Sequence, residues 1–101
     1  MKNHTKVYFS FFIDSGFSFM PCEVCGAAAK DIHHIEPRGM GGDPTGKKDN
    51  ILNLMALCRT CHELYGDKKQ HKDYLKNVHL KFMQTRQPEK TEKILLQIQI
   101  D

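Results

Sequence analysis

No stretch of this chain approaches the ~20 consecutive apolar residues that a membrane-spanning helix needs, so no membrane partner is expected. No secretory leader is expected either: Met1-Lys-Asn-His starts polar, and the apolar run from Val7 to Ile13 is too short and has no small-residue cleavage site. There is no internal repeat and no low-complexity tract. Neither sign of charge dominates. A net charge of +3 and a pI of about 8.7 lean basic, which permits a polyanionic partner without demonstrating one. No cysteine is left over, because all four fall in Cys-x-x-Cys pairs. Without a leader the expected compartment is the cytoplasm, where such pairs read as metal sites rather than as a disulfide framework.

What the chain does contain bounds the fold. A length of 101 residues allows one domain with a small core. The hydrophobic content of 40%, with six Phe and three Tyr, suits a folded domain helped by a metal staple. Val7 and Phe11, and Tyr8 and Phe12, lie four apart. This favours a short helix over residues 6–13, ended by Asp14-Ser-Gly16, although the aromatic content also allows a strand. Phe17, Phe19 and Met20 follow as an apolar lead-in. Residues 29–36 read as a strand closed by Pro37, followed by the glycine-rich loop Arg38-Gly-Met-Gly-Gly-Asp-Pro-Thr-Gly46. In the apolar run from Ile51 to Leu57 the first part is turn-like, and Met55 to Leu57 forms a return strand. A helix is expected from Arg59 to Tyr65, stopping at Gly66. Another is expected from Gln70 to Met83, with Leu75, Val78 and Phe82 on its apolar stripe. Residues 87–93 read as a polar linker, and 94–100 as a strand-like or loosely held tail. This divides the chain into a domain at 1–86, with its core motif at 21–66, and a tail at 87–101.

Cys22-x-x-Cys25 and Cys58-x-x-Cys61 are two knuckles, each able to turn two soft thiolates onto one ion. Together they complete a tetrahedral Zn²⁺ site with no open position, which makes it structural rather than catalytic. Between the knuckles lie His33 and His34, then Asn53, and His62 directly follows the last cysteine. Adjacent strand residues point to opposite faces, so His33 and His34 are suited to different tasks. One can ligate a metal while the other faces a water: a histidine near neutral pKa can take a proton from water, and a divalent ion can act as a Lewis acid.

The pattern His33-His34-Ile-Glu-Pro-Arg38-Gly-Met-Gly-Gly42 followed by Asn53-Leu-Met-Ala-Leu-Cys-Arg-Thr-Cys-His62 resembles the HNH endonuclease family, in its four-cysteine branch. The resemblance covers about residues 21–66 and implies a small α+β fold of the ββα-metal (His-Me finger) type, with a zinc-knuckle pair and flanking helices. It also implies roles. His33 stands at a position that is often Asp and binds a catalytic ion together with His62. His34 is the general base, and Asn53 holds the segment that positions it. Some members add a ligand one helical turn after the final histidine, where this chain has Gly66. Two protein ligands would then remain, with waters and the scissile phosphate completing a site open to Mg²⁺, Mn²⁺, Ni²⁺ or Zn²⁺. His4, His71 and His79 fall outside the motif and read as surface or core residues, and Glu36 as solvated.

The implied activity is DNA cleavage leaving a 5′-phosphate and a 3′-hydroxyl, in an enzyme of a kind that occurs in phages, mobile elements and restriction systems. Candidates for gripping the phosphates of a DNA duplex are Arg38, Lys47, Lys48 and Arg59, with Lys68 and Lys69 beyond them. Two other readings stay open: a catalytically inactive zinc-stapled DNA-binding module, and a zinc-finger interaction protein with no nucleic-acid role.

Overall fold

The computed structural model describes residues 2–16, 19–37 and 47–100, without the side chains of 47 and 98–100. The glycine-rich loop, with Arg38 and the glycines at 39, 41, 42 and 46, therefore lies outside the described residues, as do the side chain of Lys47 and the whole of Phe17. The elements are α1 (Asn3–Phe12), β1 (Asp31–His34), β2 (Leu54–Leu57), α2 (Arg59–Tyr65), α3 (Lys72–Arg86) and α4 (Pro88–Ile100). Short 3-10 turns at Lys47–Asp49, Ile51–Asn53 and Lys69–His71 join them.

The two strands form an antiparallel hairpin in which Asp31 faces Leu57, Ile32 faces Ala56, His33 faces Met55 and His34 faces Leu54. Side chains alternate between the faces of a strand, so β2, buried at every residue, serves two cores. Leu54 and Ala56 pack with Tyr8, Phe11, Phe12, Ile51 and Met83. Met55 and Leu57 pack with Ile35, Leu75 and the cysteines Cys22, Cys58 and Cys61. Cross-strand register gives β1 the same two faces. Ile32 and His34 lie on the α1 side, and Asp31 and His33 lie on the knuckle side.

Helix α1 forms as expected and buries Tyr8, Phe11 and Phe12, an i, i+3, i+4 stripe. In α3 the buried line is Leu75, His79 and Met83. Val78 and Phe82, expected on the stripe, are only partly buried at its flanks. The seam centres on His79 because its ring has buried partners. Nδ1 meets Glu23 Oε1 at 2.7 Å, and Nε2 meets the Ile51 carbonyl at 2.6 Å. Glu23 also accepts from the Tyr8 hydroxyl at 2.5 Å and from the Ala56 N–H at 3.2 Å. This buried carboxyl, inside the first Cys-x-x-Cys, ties α1, the first knuckle, β2 and α3 together. Burial of Tyr8 first, and then the nearby Glu23 carboxyl, push the Tyr8 hydroxyl strongly up.

The region after Gln87 corrects the expectation of a linker and a strand-like tail. Pro88 starts a helix, a position where its missing N–H is harmless. Thr91 is buried, Ile94 packs on the first core, and the Lys90 ammonium donates to the Phe11 carbonyl at 2.9 Å. The alternation at Ile94–Ile100 misled because a short apolar run fits both periods.

Candidate functional site

The first knuckle is a tight reversal. Pro21 and Ala28 bridge across it, the Gly26 N–H donates to the Cys22 carbonyl at 2.9 Å, and Gly26 has φ +85°, a conformation open to glycine. The second knuckle is the start of α2. Cys58 is its N-cap, and its Sγ accepts from the Cys61 N–H at 3.4 Å. That bond holds the Cys58 thiol down at about 7, whereas burial pushes Cys61 up. The four sulfurs lie within 4.8 Å of one another, and Cys25 and Cys58 are 3.6 Å apart. Thiolates about 2.3 Å from a tetrahedral ion are about 3.8 Å apart, so the cluster has the dimensions of a zinc site and not of a disulfide.

On the same face of the hairpin, His33 from β1 and His62 from α2 stand with ring centroids 4.9 Å apart. Asp67 joins them. Its carboxylate lies 4.0 Å from His33 Nδ1 and 3.6 Å from His62 Nε2, and the three donor atoms fall within 4.8 Å of one another. Burial lowers the His33 pKa, so the ring is held neutral with a lone pair available. His62 Nδ1–H donates to Asp31 Oδ2 at 3.2 Å. A carboxylate on one ring nitrogen is the usual outer partner of a metal-binding imidazole, and here it leaves Nε2 on the side of Asp67.

Asp67 and Asp31 were missed in the sequence. The expectation of two protein ligands rested on Gly66, whereas the carboxylate comes from the next residue, turned inward by a left-handed backbone at φ 61°. Gly66 itself is required for space. A Cβ there would sit 2.2 Å from His62 Cδ2 and 2.7 Å from the His62 carbonyl oxygen. No local signal marks Asp67. Asp31 was findable, because it lies two residues before His33 and so shares its face.

His34 is on the other face, at the rim of the cleft that Ile32, His33, Pro37, His62 and Asp67 also line. Its Nε2–H donates to Asp49 Oδ1 at 2.7 Å, and its ring meets His4 edge to face at 4.8 Å. His4, His34 and Asp49 are thus a second group of potential ligands, and His4, expected as a surface or core residue, is partly buried there. Asn53 accepts from the Glu36 N–H at 2.7 Å and donates to the Glu36 and Lys48 carbonyls at 3.0 and 2.8 Å. It clamps the exit of β1 to the turn carrying Asp49. Glu36 is paired with Lys72 at 2.9 Å and Lys76 at 3.1 Å, which hold its carboxyl down at about 2.

Among the proposed phosphate contacts, Arg59 is exposed at the start of α2, and Lys48 is half-buried. Lys68, Lys69 and Lys72 line a cleft of about 320 Å³ that includes His33 and Asp67.

Residues 22–68 match the model of the HNH endonuclease family. This span is an HNH endonuclease domain. Its α+β hairpin-and-helix core, β1, β2 and α2 beside a four-cysteine cluster, agrees with the ββα-metal fold of HNH proteins. A mitochondrial DNA mismatch repair protein, a mutS homolog, from Sarcophyton glaucum is 40% identical over 52 residues, 50% of this chain and 5% of its own length. The uncharacterized protein YdfU of Escherichia coli (strain K12) is 44% identical over 48 residues, 46% of this chain and 13% of its own. The chain thus spans only a small part of either relative. No solved structure gives a significant match. Among the described residues, no helix is long and apolar enough to cross a membrane.

Proposed function

We propose that the chain is a metal-dependent DNA endonuclease, with His34 as general base and a divalent ion held by His33, His62 and Asp67. The observation that carries this reading is the parting of two adjacent histidines. His33 is buried beside His62 and Asp67, and His34 lies across the strand at the rim of the same cleft. Two imidazoles and a carboxylate suit borderline divalent ions such as Mn²⁺, Ni²⁺ or Zn²⁺ and leave positions for water and phosphate, which also admits Mg²⁺. When bound, such an ion would stabilise charge on the phosphate and on the leaving oxygen.

The residues of the chain supply the rest. His34 accepts a proton from a water, whose oxygen forms the new bond to phosphorus as the bond to the 3′-oxygen breaks. The 3′-oxygen takes a proton from solvent and His34 returns its own, leaving a 5′-phosphate and a 3′-hydroxyl. Asp31 orients His62, and Asn53 fixes the segment around His34. Cys22, Cys25, Cys58 and Cys61 hold a structural zinc that pins this frame. Arg38, Lys47, Lys48 and Arg59 grip the phosphates, joined by Lys68 and Lys69. The name of the Sarcophyton relative supports DNA as the nucleic acid.

The test is relaxation of supercoiled plasmid by the zinc-loaded protein in Mg²⁺, Mn²⁺, Ni²⁺ or Zn²⁺, with excess chelator as control. Ion-dependent nicking supports the reading. DNA binding without cleavage in any of these ions would favour the inactive zinc-stapled binding module.

A further inference from the structure

Helix α1 lies outside the span matched by the HNH family, yet it reaches the His34 side of the hairpin. Asn3 Nδ2 donates to Asp49 Oδ2 at 3.0 Å, Asp49 Oδ1 accepts from His34 Nε2–H at 2.7 Å, and the His4 ring packs against His34. Asp49 is buried, with 8% exposure. One buried carboxylate thus uses one oxygen on the helix and the other on the histidine.

We propose that Asp49 is the positioning residue of the general base, and that α1 completes the site by fixing Asp49 through Asn3. This rests on the reading of His34 as the base. An imidazole whose Nε2–H is held by a carboxylate has its lone pair on Nδ1. Asp49 therefore selects both the ring orientation and the nitrogen that takes the proton from water. The same Asp49 charge faces the ring as it becomes an imidazolium, the part played by the buried carboxylate of a Ser-His-Asp triad. The proton goes from water to Nδ1, and none moves to Asp49. Asn3 stops the carboxylate from rotating away, and the edge-to-face contact with His4 limits the tilt of the His34 ring. The Asn53 clamp holds the Lys48 carbonyl, one residue before Asp49, so both supports of the relay meet at the same turn.

The experiment compares single-turnover cleavage of a labelled DNA duplex at saturating protein and ion by wild type, Asp49→Asn, Asp49→Glu, Asn3→Ala, His34→Ala and Asp49→Asn/His34→Ala. Zinc content, melting temperature and DNA affinity are measured on each. Asp49→Asn preserves shape, and Asn3 is exposed, so neither change depends on repacking the core. The expected result is a rate lowered at least about 10-fold in Asp49→Asn, the lower end of the loss for the outer partner of a metal-bound histidine, and up to about 10⁴-fold, the loss for the carboxylate of a Ser-His-Asp triad. DNA affinity should stay unchanged, Asn3→Ala should show a smaller loss, and Asp49→Glu should restore part of the rate. Asp49→Asn should add no further loss once His34 is alanine, because its effect runs through that ring. A wild-type rate in Asp49→Asn, or an equal loss with and without His34, overturns the relay while leaving His34 as base. A wild-type rate in His34→Ala overturns the assignment of the base itself, and the relay with it.

Discussion

Gly66→Ala separates backbone effects from the geometry of the ion site. Gly66 has φ −68° and ψ 145°, a conformation open to any residue, and on backbone entropy alone alanine would stabilise the chain by about 0.4–1 kcal/mol. Side-chain packing acts with the opposite sign. The new methyl would lie 2.2 Å from His62 Cδ2, whereas carbon atoms in contact are about 3.5–4.0 Å apart. The ring must therefore retreat by roughly 1.3 Å or more to reach ordinary contact. Metal–ligand distances tolerate only about 0.2 Å, so His62 cannot yield this far and remain a ligand. Overpacking of this kind costs about 1–3 kcal/mol, and set wholly against ion binding it predicts an affinity about 5- to 150-fold weaker. Calorimetric titration of Mn²⁺ into zinc-loaded protein, with the Mn²⁺ dependence of plasmid nicking beside it, reads the effect directly. Wild-type Mn²⁺ affinity in Gly66→Ala, with an unchanged activation midpoint, would refute the placement of His62 in the ion site.

Three further outcomes follow from the same geometry. Asn53→Ala removes three hydrogen bonds at about 1 kcal/mol each, so urea denaturation should show a loss of about 3 kcal/mol, and a change under about 0.5 kcal/mol would contradict the clamp. Stripping the zinc with a strong chelator should abolish the cooperative melt, because Cys22, Cys58 and Cys61 sit inside the second core; an unchanged melt in metal-free protein would show that the cluster is not a staple. Burial lowers the His33 pKa from 6.5, so below that pH the unfolded chain binds a proton that the folded chain refuses. Stability of the ion-free protein should be fully present above 6.5 and fall as the pH drops through the lowered value. His33→Gln should flatten that slope between pH 7 and 5, and an identical slope in the variant would refute it.

The parting of His33 and His34 was legible because it follows from the two-residue period of a strand, and the knuckles were legible because Cys-x-x-Cys spacing is itself the geometry. The stop of α2 at Gly66 could be read as well. What could not be read came from contacts between distant residues or from unusual backbone. Asp49 reaches His34 across 15 positions and Asp31 reaches His62 across 31. Asp67 enters the site only through a positive φ. His79 looked like an ordinary histidine until Glu23 supplied a buried partner. The end of the chain failed for another reason: its alternating isoleucines fit a strand, while Pro88, Thr91 and Ile94 fit a helix packed on α3, and packing decided.

The most direct measurement is single-turnover cleavage by His34→Ala against wild type, at matched zinc content and saturating Mn²⁺, with the product ends identified. Wild type should leave a 5′-phosphate and a 3′-hydroxyl, and the variant should be at least about 100-fold slower, the lower end of a general base's contribution. Equal rates in the two proteins, with the fold and zinc retained, would contradict His34 as the base.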